Sequence, residues 1–209
     1  MPGKNCKPHI FREVRDARGF TVLELVVVVA IMMILSAMAV PQIMNTMRTY
    51  QLNFAASQVA DAVKFSRFEA IRRNNNANCL AATSGATWAV GTDNDGDGLL
   101  TNADRQYVFT GNVTFLTAAQ VPTAGNLPGA VGVNAVTTLS ANSSTQKISF
   151  DPRGAVNFAG STGGAPTVYV FYVGPTMLPA QSYRAVVVMP SGQTQIWEGS
   201  PAGNWIQIG

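Results

Sequence analysis

Four aspartates lie within twelve residues of the chain, at the spacing of a calcium-binding loop. In residues 93–104 they occupy positions one, three, five and twelve of an EF-hand loop, and a glycine stands at its sharp turn. At this spacing, Leu99 would supply a backbone carbonyl ligand and Thr101 would bind the ion through a water molecule. Because oxygen ligands suit a hard cation, the sequence predicts a Ca²⁺ site. Its predicted ligands are Asp93, Asp95, Asp97, Leu99, Thr101 and Asp104.

The same loop also fits a simpler interpretation. Asp104 is shorter than the glutamate usual at the last position, and Trp88-Ala89-Val90 before the loop is typical of a strand rather than of a helix. The alternative is a solvated Asp-Gly turn between two strands. Against this alternative, four aspartates so close together repel one another without a cation. Both interpretations stay open at this point.

A single carboxylate, Glu24, stands in an otherwise apolar stretch from Phe20 to Val40. At about 1.5 Å per helical residue this stretch reaches about 30 Å, the hydrocarbon thickness of a bilayer. A charge at mid-membrane costs about 2.5–3.5 kcal/mol in insertion experiments, so Glu24 needs a partner. The alternative is that it snorkels, because it lies only about 6 Å from the helix start.

The charges before this stretch predict its orientation. Residues 1–19 hold five of the fourteen basic residues, whereas the rest of the chain has nine basic and nine acidic residues. The positive-inside rule therefore places residues 1–19 in the cytoplasm and the body of the chain, after Pro41, outside. A cleavable secretory signal is disfavoured, because no good small-residue cleavage site follows the apolar region.

The body also lacks the residues of several enzyme classes. The one histidine, His9, and one of the two cysteines, Cys6, lie in the first nineteen residues. Without them the chain has no histidine-based acid–base or nucleophilic chemistry, no His-ligated zinc and no intramolecular disulfide. The remaining Cys79, beside small apolar residues, is interpreted as a core residue. We therefore expect no catalytic activity.

A helix followed by strands is predicted to position these residues. Gln42 to Arg73 is amphipathic and ends at Asn74-Asn75-Asn76, and Pro41 is expected to kink or loosen the turn before it. The apolar stripe should pack on a sheet of the same chain; it comprises Leu52, Ala55, Ala56, Val59, Ala62, Val63, Ser66 and Ala70. The candidate strands are Thr87–Thr92, Gln106–Thr110, Val113–Leu116, Lys147–Phe150, Ala155–Phe158, Thr167–Val173, Tyr183–Met189, Gln193–Trp197 and Trp205–Ile208. Residues 117–146 give no recognisable pattern and are interpreted as a variable loop region.

The start of the apolar stretch resembles a known export signal. Gly19-Phe20-Thr21-Val22-Leu23-Glu24, after a basic leader and before Pro41, resembles the type III signal of type IV prepilins and type II secretion pseudopilins. The resemblance implies that a prepilin peptidase cleaves between Gly19 and Phe20 and methylates the new amine. Glu24 would then pair with the amine of Phe20 in a neighbouring subunit, and Pro41 would share in assembly.

A second resemblance narrows the family. The segment 65–74, FSRFEAIRRN, resembles the signature of H-type pseudopilins and their type IV pilus relatives, the GspH/FimT family, although Phe68 replaces a small residue. Residues 150–154 and the closing hairpin up to Gly192 resemble further motifs of the same family. The resemblance implies an α+β, type IV pilin-like fold with a long N-terminal helix packed on an antiparallel β-rich head. We interpret Arg67, Arg72 and Arg73 as a solvated helix end rather than a nucleic-acid patch.

The expected organisation is a leader (1–19), a transmembrane helix (20–41), a helical stem (42–76) and a periplasmic head (77–209). The expected function is that of a minor pseudopilin, not an enzyme, at or near the tip of the type II secretion pseudopilus. The alternative is a FimT-like minor pilin of a type IV pilus, acting in pilus assembly, adhesion or DNA uptake.

The resemblance implies three kinds of partner: other pseudopilins or pilins, a prepilin peptidase and an inner-membrane assembly platform. The protein would start in the bacterial inner membrane, with a cytoplasmic N-terminus. Nucleic acid is not expected, because Trp197–Gly209 has no lysine or arginine to neutralise phosphates. Trp197 and Trp205 are interpreted as core residues rather than base-stacking platforms.

Overall fold

The structure is a computed structural model that describes residues 19–84, 87–139, 146–161, 168–176 and 182–209. The predicted leader therefore lies outside the described residues, except for Gly19. The chain divides into two units, Met1–Met44 and Asn45–Gly209. The long helix α1 (Val22–Arg73) begins in the first unit and ends in the second, and it continues through Pro41 without a break.

The end of α1 agrees with the predicted stop and has a clear cause. Asn74 adopts a left-handed conformation with φ of 49°. The Asn74 N–H donates to the carbonyl of Ile71, and the Asn75 N–H donates to the carbonyl of Ala70. These two bonds form a Schellman motif, in which asparagine is one of the few residues that tolerates the left-handed position.

Within the described residues, eleven strands and one further helix, α2 (Leu127–Val131), follow α1. The strands are β1 (Ala77–Ser84), β2 (Thr87–Asp93), β3 (Arg105–Phe109), β4 (Val113–Leu116), β5 (Val136–Thr138), β6 (Gln146–Phe150), β7 (Val156–Asn157), β8 (Val168–Pro175), β9 (Tyr183–Val188), β10 (Thr194–Gly199) and β11 (Trp205–Gln207). They form one sheet in the order β3-β2-β1-β6-β7 and a second sheet in the order β11-β10-β9-β8-β4. Among the strands that the structure describes, every pairing is antiparallel except that of β5 with β8. The predicted α+β class, a long N-terminal helix and an antiparallel β-rich head, is confirmed.

The main core lies between α1 and the two sheets. All eight residues of the predicted stripe are buried, which confirms that the helix packs on sheets of the same chain. Cys79 is buried in this core, and burial raises the pKa of its thiol to about 12, opposed only by a hydrogen bond with Ser66. A reactive cysteine needs an accessible thiolate, which the buried Cys79 lacks, so Cys79 is a core residue as predicted. Trp88 stacks on Phe109 and contacts Phe115, which joins the sheets.

A second core lies on the other face of the second sheet. The variable loop region was predicted for residues 117–146, of which 140–145 lie outside the described residues. Residues 117–139 instead contain two short 3-10 helices, α2 and β5, and Gln146 begins β6. Val121 and Leu127 of this region belong to one buried cluster with Tyr172, Val187 and Trp205. Strands β8 and β9 are therefore buried on both faces, which explains why both are mainly apolar rather than alternating, with Arg184 as the one charged residue in β9.

Candidate functional site

The predicted processing site lies at the start of α1. Gly19 and Phe20 are exposed, and Thr21 immediately precedes the helix. The Thr21 hydroxyl accepts a hydrogen bond from the N–H of Glu24 at 3.2 Å. Thr21 is therefore the N-cap, and Glu24 occupies the third helical position, which is the position of the glutamate in a capping box and one where a carboxylate interacts favourably with the helix dipole. This position suits a glutamate independently of any partner subunit.

The apolar part of α1 is exposed in the described part of the chain. Every residue from Gly19 to Gln51 is exposed, including the valines, leucines and methionines of residues 22–47. By length and composition alone this helix is able to cross a membrane. Such a surface is not stable in water, so it requires lipid or other apolar helices as a partner.

The acidic loop brings three of its predicted ligands together. One carboxylate oxygen from each of Asp93, Asp95 and Asp97 lies within 4.8 Å of the others. The carboxylate of Asp93 accepts hydrogen bonds from the N–H groups of Gly96 and Gly98, both of which have positive φ. The loop thus has the tight glycine turn that its sequence predicts.

Asp104, the fourth predicted carboxylate ligand, is not part of that cluster. The two oxygens of Asp104 accept bonds from the N–H of Asn94 and from the N–H and hydroxyl of Thr101, which closes the base of the loop. Burial acts to raise the pKa of Asp104, but these hydrogen bonds outweigh it and hold the pKa below its usual value. Leu99 donates its N–H to Asp97 and has an exposed side chain. The geometry therefore contains three clustered carboxylates and a fourth used for loop closure.

The loop is attached to the end of α1 by an ion-pair network. The buried Glu69 pairs with Arg72 and with Arg73, both at 2.5 Å, and Arg73 also donates to the carbonyl of Asn94 at 2.7 Å. The hydrogen bond from Arg72 is the largest cause that lowers the pKa of Glu69, to about 2, despite the opposing effect of burial. Arg72 and Arg73 are therefore engaged in pairing, not only solvated as predicted.

The family-like motifs meet at one contact. Arg67 Nε donates to the carbonyl of Gly154 at 2.9 Å, and Gly192 approaches both residues so closely that an added Cβ would overlap the Gly154 oxygen. Gly154 in turn lies against Ile71, where an added Cβ would lie 2.8 Å from Cδ1. The interpretation of Arg67 as merely solvated was wrong, because it links the helix to two turns. Its position in the motif was the available signal.

Arg184 is a further polar residue that sequence reasoning missed. It is only 1% exposed, donates to Asn53 of α1 at 2.6 Å and pairs with Glu198 at 3.1 Å. Burial lowers its pKa, and the coulombic attraction of Glu198 opposes that effect. The available signal was one arginine within the apolar strand Tyr183–Val188. It connects the helix to the second sheet.

The tryptophans are placed as core residues rather than stacking platforms. Trp205 is buried and donates its indole N–H to the carbonyl of Thr123 at 2.9 Å. Trp197 is half-buried and packs against the second core. The prediction that Trp205 belongs to the core is confirmed.

Two family profiles match the chain. The prokaryotic N-terminal methylation motif matches residues 14–40, which include Gly19, Phe20 and Glu24. The profile described as type II transport protein GspH matches residues 55–192, more than half of the chain.

Similarity to individual proteins is more limited. The chain is 34% identical over 68 residues to "Type IV wide pilus major component PilA4" of Thermus thermophilus, covering 32% of this chain and 52% of that protein. It thus spans about half the length of the curated relative that it matches. Two crystal structures of the type IV minor pilin FimU of Pseudomonas aeruginosa align with 77% and 76% of this chain and with 90% and 93% of theirs. Their identities are 12% and 14%, and the TM-scores are 0.33 and 0.32.

The profile match agrees with the fold and with the motif contacts around Arg67. Proteins of this kind are structural subunits rather than enzymes, which confirms the expected lack of catalysis, and they assemble with other pilins into filaments. The exposed apolar helix with a methylation motif is the membrane-anchoring element of such a subunit. The chain therefore belongs to the GspH family of pilin-like proteins.

Proposed function

We propose that this chain is a minor pseudopilin that assembles at or near the tip of the type II secretion pseudopilus and supports protein export. The observation that carries the proposal is the uncovered apolar surface of α1, which extends from Phe20 to Met47 with Glu24 as its one acidic residue. This surface suits packing among similar helices. The match of residues 55–192 to a type II transport family supports the choice of machine.

The proposed assembly follows from the chemistry of the N-terminus. A prepilin peptidase cleaves after Gly19 and methylates the amine of Phe20. That amine then pairs with Glu24 of a neighbouring subunit, which offsets the cost of a carboxylate in lipid and sets the axial register. Pro41 permits local adjustment of the helix, because it lacks a backbone donor.

The proposed location follows the same division of the chain. Residues 20–41 cross the inner membrane with the cytoplasmic leader at one end, and residues 42–76 and 77–209 form a stem and head in the periplasm. An inner-membrane platform then extracts the subunit into the filament. The basic leader supports this orientation.

The second candidate is a minor pilin of a type IV pilus, with a role in pilus assembly, adhesion or DNA uptake. The 34% identity to a type IV wide pilus component supports it. The two machines differ in what is lost on deletion. Loss of secreted proteins with normal pili identifies the pseudopilin, and loss of pili or transformation with normal secretion identifies the pilin.

The deletion strain also tests the role of Glu24. We expect wild type to restore function and both Glu24→Ala and Glu24→Gln to fail. Glutamine is the informative variant, because it is accepted in a capping box but carries no charge to pair with an amine. Rescue by Glu24→Gln would assign the residue to helix capping alone. Immunoblots of membrane fractions control for protein level.

A further inference from the structure

A groove on the second unit lies between α1 and the turn that joins β3 to β4. Its volume is about 350 Å³. Gln51, Phe54 and Gln58 of the helix form one wall, and Val108 and Asn112 contribute to the other. None of the ten residues that line this side groove is charged. Its lining combines apolar side chains with the amide groups of Gln51, Gln58 and Asn112, a mixture that protein interfaces also have.

Hydrogen bonds hold the strand side of the side groove in place. Thr176 donates its N–H to the carbonyl of Asn112 at 2.9 Å and its hydroxyl to the carbonyl of Gly111 at 2.8 Å. Trp88 donates its indole N–H to the carbonyl of Val113 at 3.0 Å. The turn is therefore fixed before any partner arrives, which lowers the entropic cost of binding.

The helix wall continues into an exposed apolar strip. Met47, Tyr50 and Phe54 are 57%, 67% and 65% exposed, and their spacing of three and four residues places them on one face. Three large apolar side chains in a row form the kind of seam on which another helix packs. The strip ends where charge begins, since Asp61 is exposed and Arg105 lies 4.2 Å from the ring centre of Phe65.

We propose that the side groove and the apolar strip receive the apolar N-terminal helix of a second pilin-like subunit. The inference rests on the proposed function, because it identifies where on the second unit a neighbouring helix binds. Residues 25–47 of this chain contain no Asp, Glu, Lys or Arg, so a helix of this composition matches an uncharged groove. A charged or strongly polar partner would lose its hydration here without gaining an ion pair.

Phe54 is the expected anchor of the contact. It belongs both to the strip and to the side groove, and interfaces depend on a few central aromatic residues of this kind. The same helix offers a matched control in Phe68, which is also 65% exposed but does not line the groove. Because both side chains are mainly in solvent, neither substitution disturbs the core.

The test is photo-crosslinking of the full chain in native membranes, with p-benzoylphenylalanine at position 108. We expect an adduct whose partner peptide, identified by mass spectrometry, comes from the N-terminal helix of another pilin-like subunit. Phe54→Glu should lower its yield at least about tenfold, as for an interface anchor. Phe68→Glu should leave the yield within about twofold of the parent.

Three results would overturn the inference: no adduct at position 108, an adduct to a head domain or an unrelated protein, or an equal loss from both variants. A probe at position 32, within the apolar helix, separates this inference from the proposed function. Adducts with other pilin-like helices at position 32 but none at 108 would refute only the docking surface. Absence of adducts at both positions would refute helix assembly itself.

Discussion

Replacement of Gly192 by alanine should destabilise the second unit far more than its backbone angle alone requires. Its φ is 78°, a left-handed value that costs an L-residue about 1–2 kcal/mol. In addition, the new Cβ would overlap the carbonyl oxygen of Gly154 and lie 3.0 Å from two atoms of Arg67. The turn must then move, and the Arg67–Gly154 hydrogen bond is lost.

The expected cost follows from these contributions. Loss of the hydrogen bond costs about 0.5–1.5 kcal/mol, and forced displacement in a packed region costs about 1–3 kcal/mol. With the backbone strain, Gly192→Ala should lower the free energy of unfolding by about 3–5 kcal/mol. Gly154→Ala should fall lower in this range, because its added Cβ meets chiefly the flexible end of Ile71.

Gly132 supplies the matched control. Its φ is also 78°, but an added Cβ would meet nothing within 4 Å. Gly132→Ala should therefore cost only the strain, about 1–2 kcal/mol. The assay is urea unfolding of residues 45–209, a unit that contains both hydrophobic cores. If Gly192→Ala proves no more destabilising than Gly132→Ala, the contact among Arg67, Gly154 and Gly192 has no energetic importance.

Three further predictions concern charged groups of the same unit. Because the pKa of Glu69 is lowered from 4.5 to about 2, its contribution to the free energy of unfolding is present above pH 4.5 and is lost as the pH falls through 2. Glu69→Gln should remove about 1–2 kcal/mol of this acid dependence, measured by unfolding at a series of pH values. The figure allows for solvent screening of the exposed arginine partners. In thermal unfolding, Glu198→Ala should lower the stability by about 3 kcal/mol and Arg184→Met by about 1 kcal/mol. The first substitution leaves a buried cation without its ion-pair partner, whereas the second leaves a carboxylate that water can hydrate. The reverse order of the two losses would contradict this explanation. If the acidic loop binds Ca²⁺, about 10 mM CaCl₂ should raise the free energy of unfolding of the unit by about 1–3 kcal/mol, and MgCl₂ should raise it less. Asp97→Asn should abolish this stabilisation by CaCl₂. No stabilisation of the parent chain would favour the solvated turn.

The helix and most strands could be predicted because their patterns are local. The buried stripe from Leu52 to Ala70 follows helical spacing, and the Asn74 stop follows from its tolerance of a left-handed angle. Strand β1 was missed because Ala77–Ser84 is rich in alanine and has little β propensity of its own. Its conformation is imposed by pairing with β2 and β6 on either side, which is information distant in sequence.

The candidate sites show the same limit. Spacing alone predicted the cluster of Asp93, Asp95 and Asp97, but it did not predict that Asp104 closes the loop through hydrogen bonds. The partner of Arg184 on α1 lies 131 residues away, and no local pattern reports such a pair. Motif resemblance drew attention to the segment that contains Arg67, but the residue was interpreted as solvated, because its contact with two turns is distant in sequence.

The double burial of β8 and β9 has a kinetic consequence. Their amide groups are paired with neighbouring strands and covered by side chains on both faces, so small local openings do not reach them. Hydrogen exchange at Val170, Phe171 and Val186 should occur only when the whole unit unfolds, whereas the exposed edge at Ile206 should exchange through fraying. If the chain is drawn from a membrane into a filament as proposed, we expect this central strand pair to be the last element of the unit to unfold.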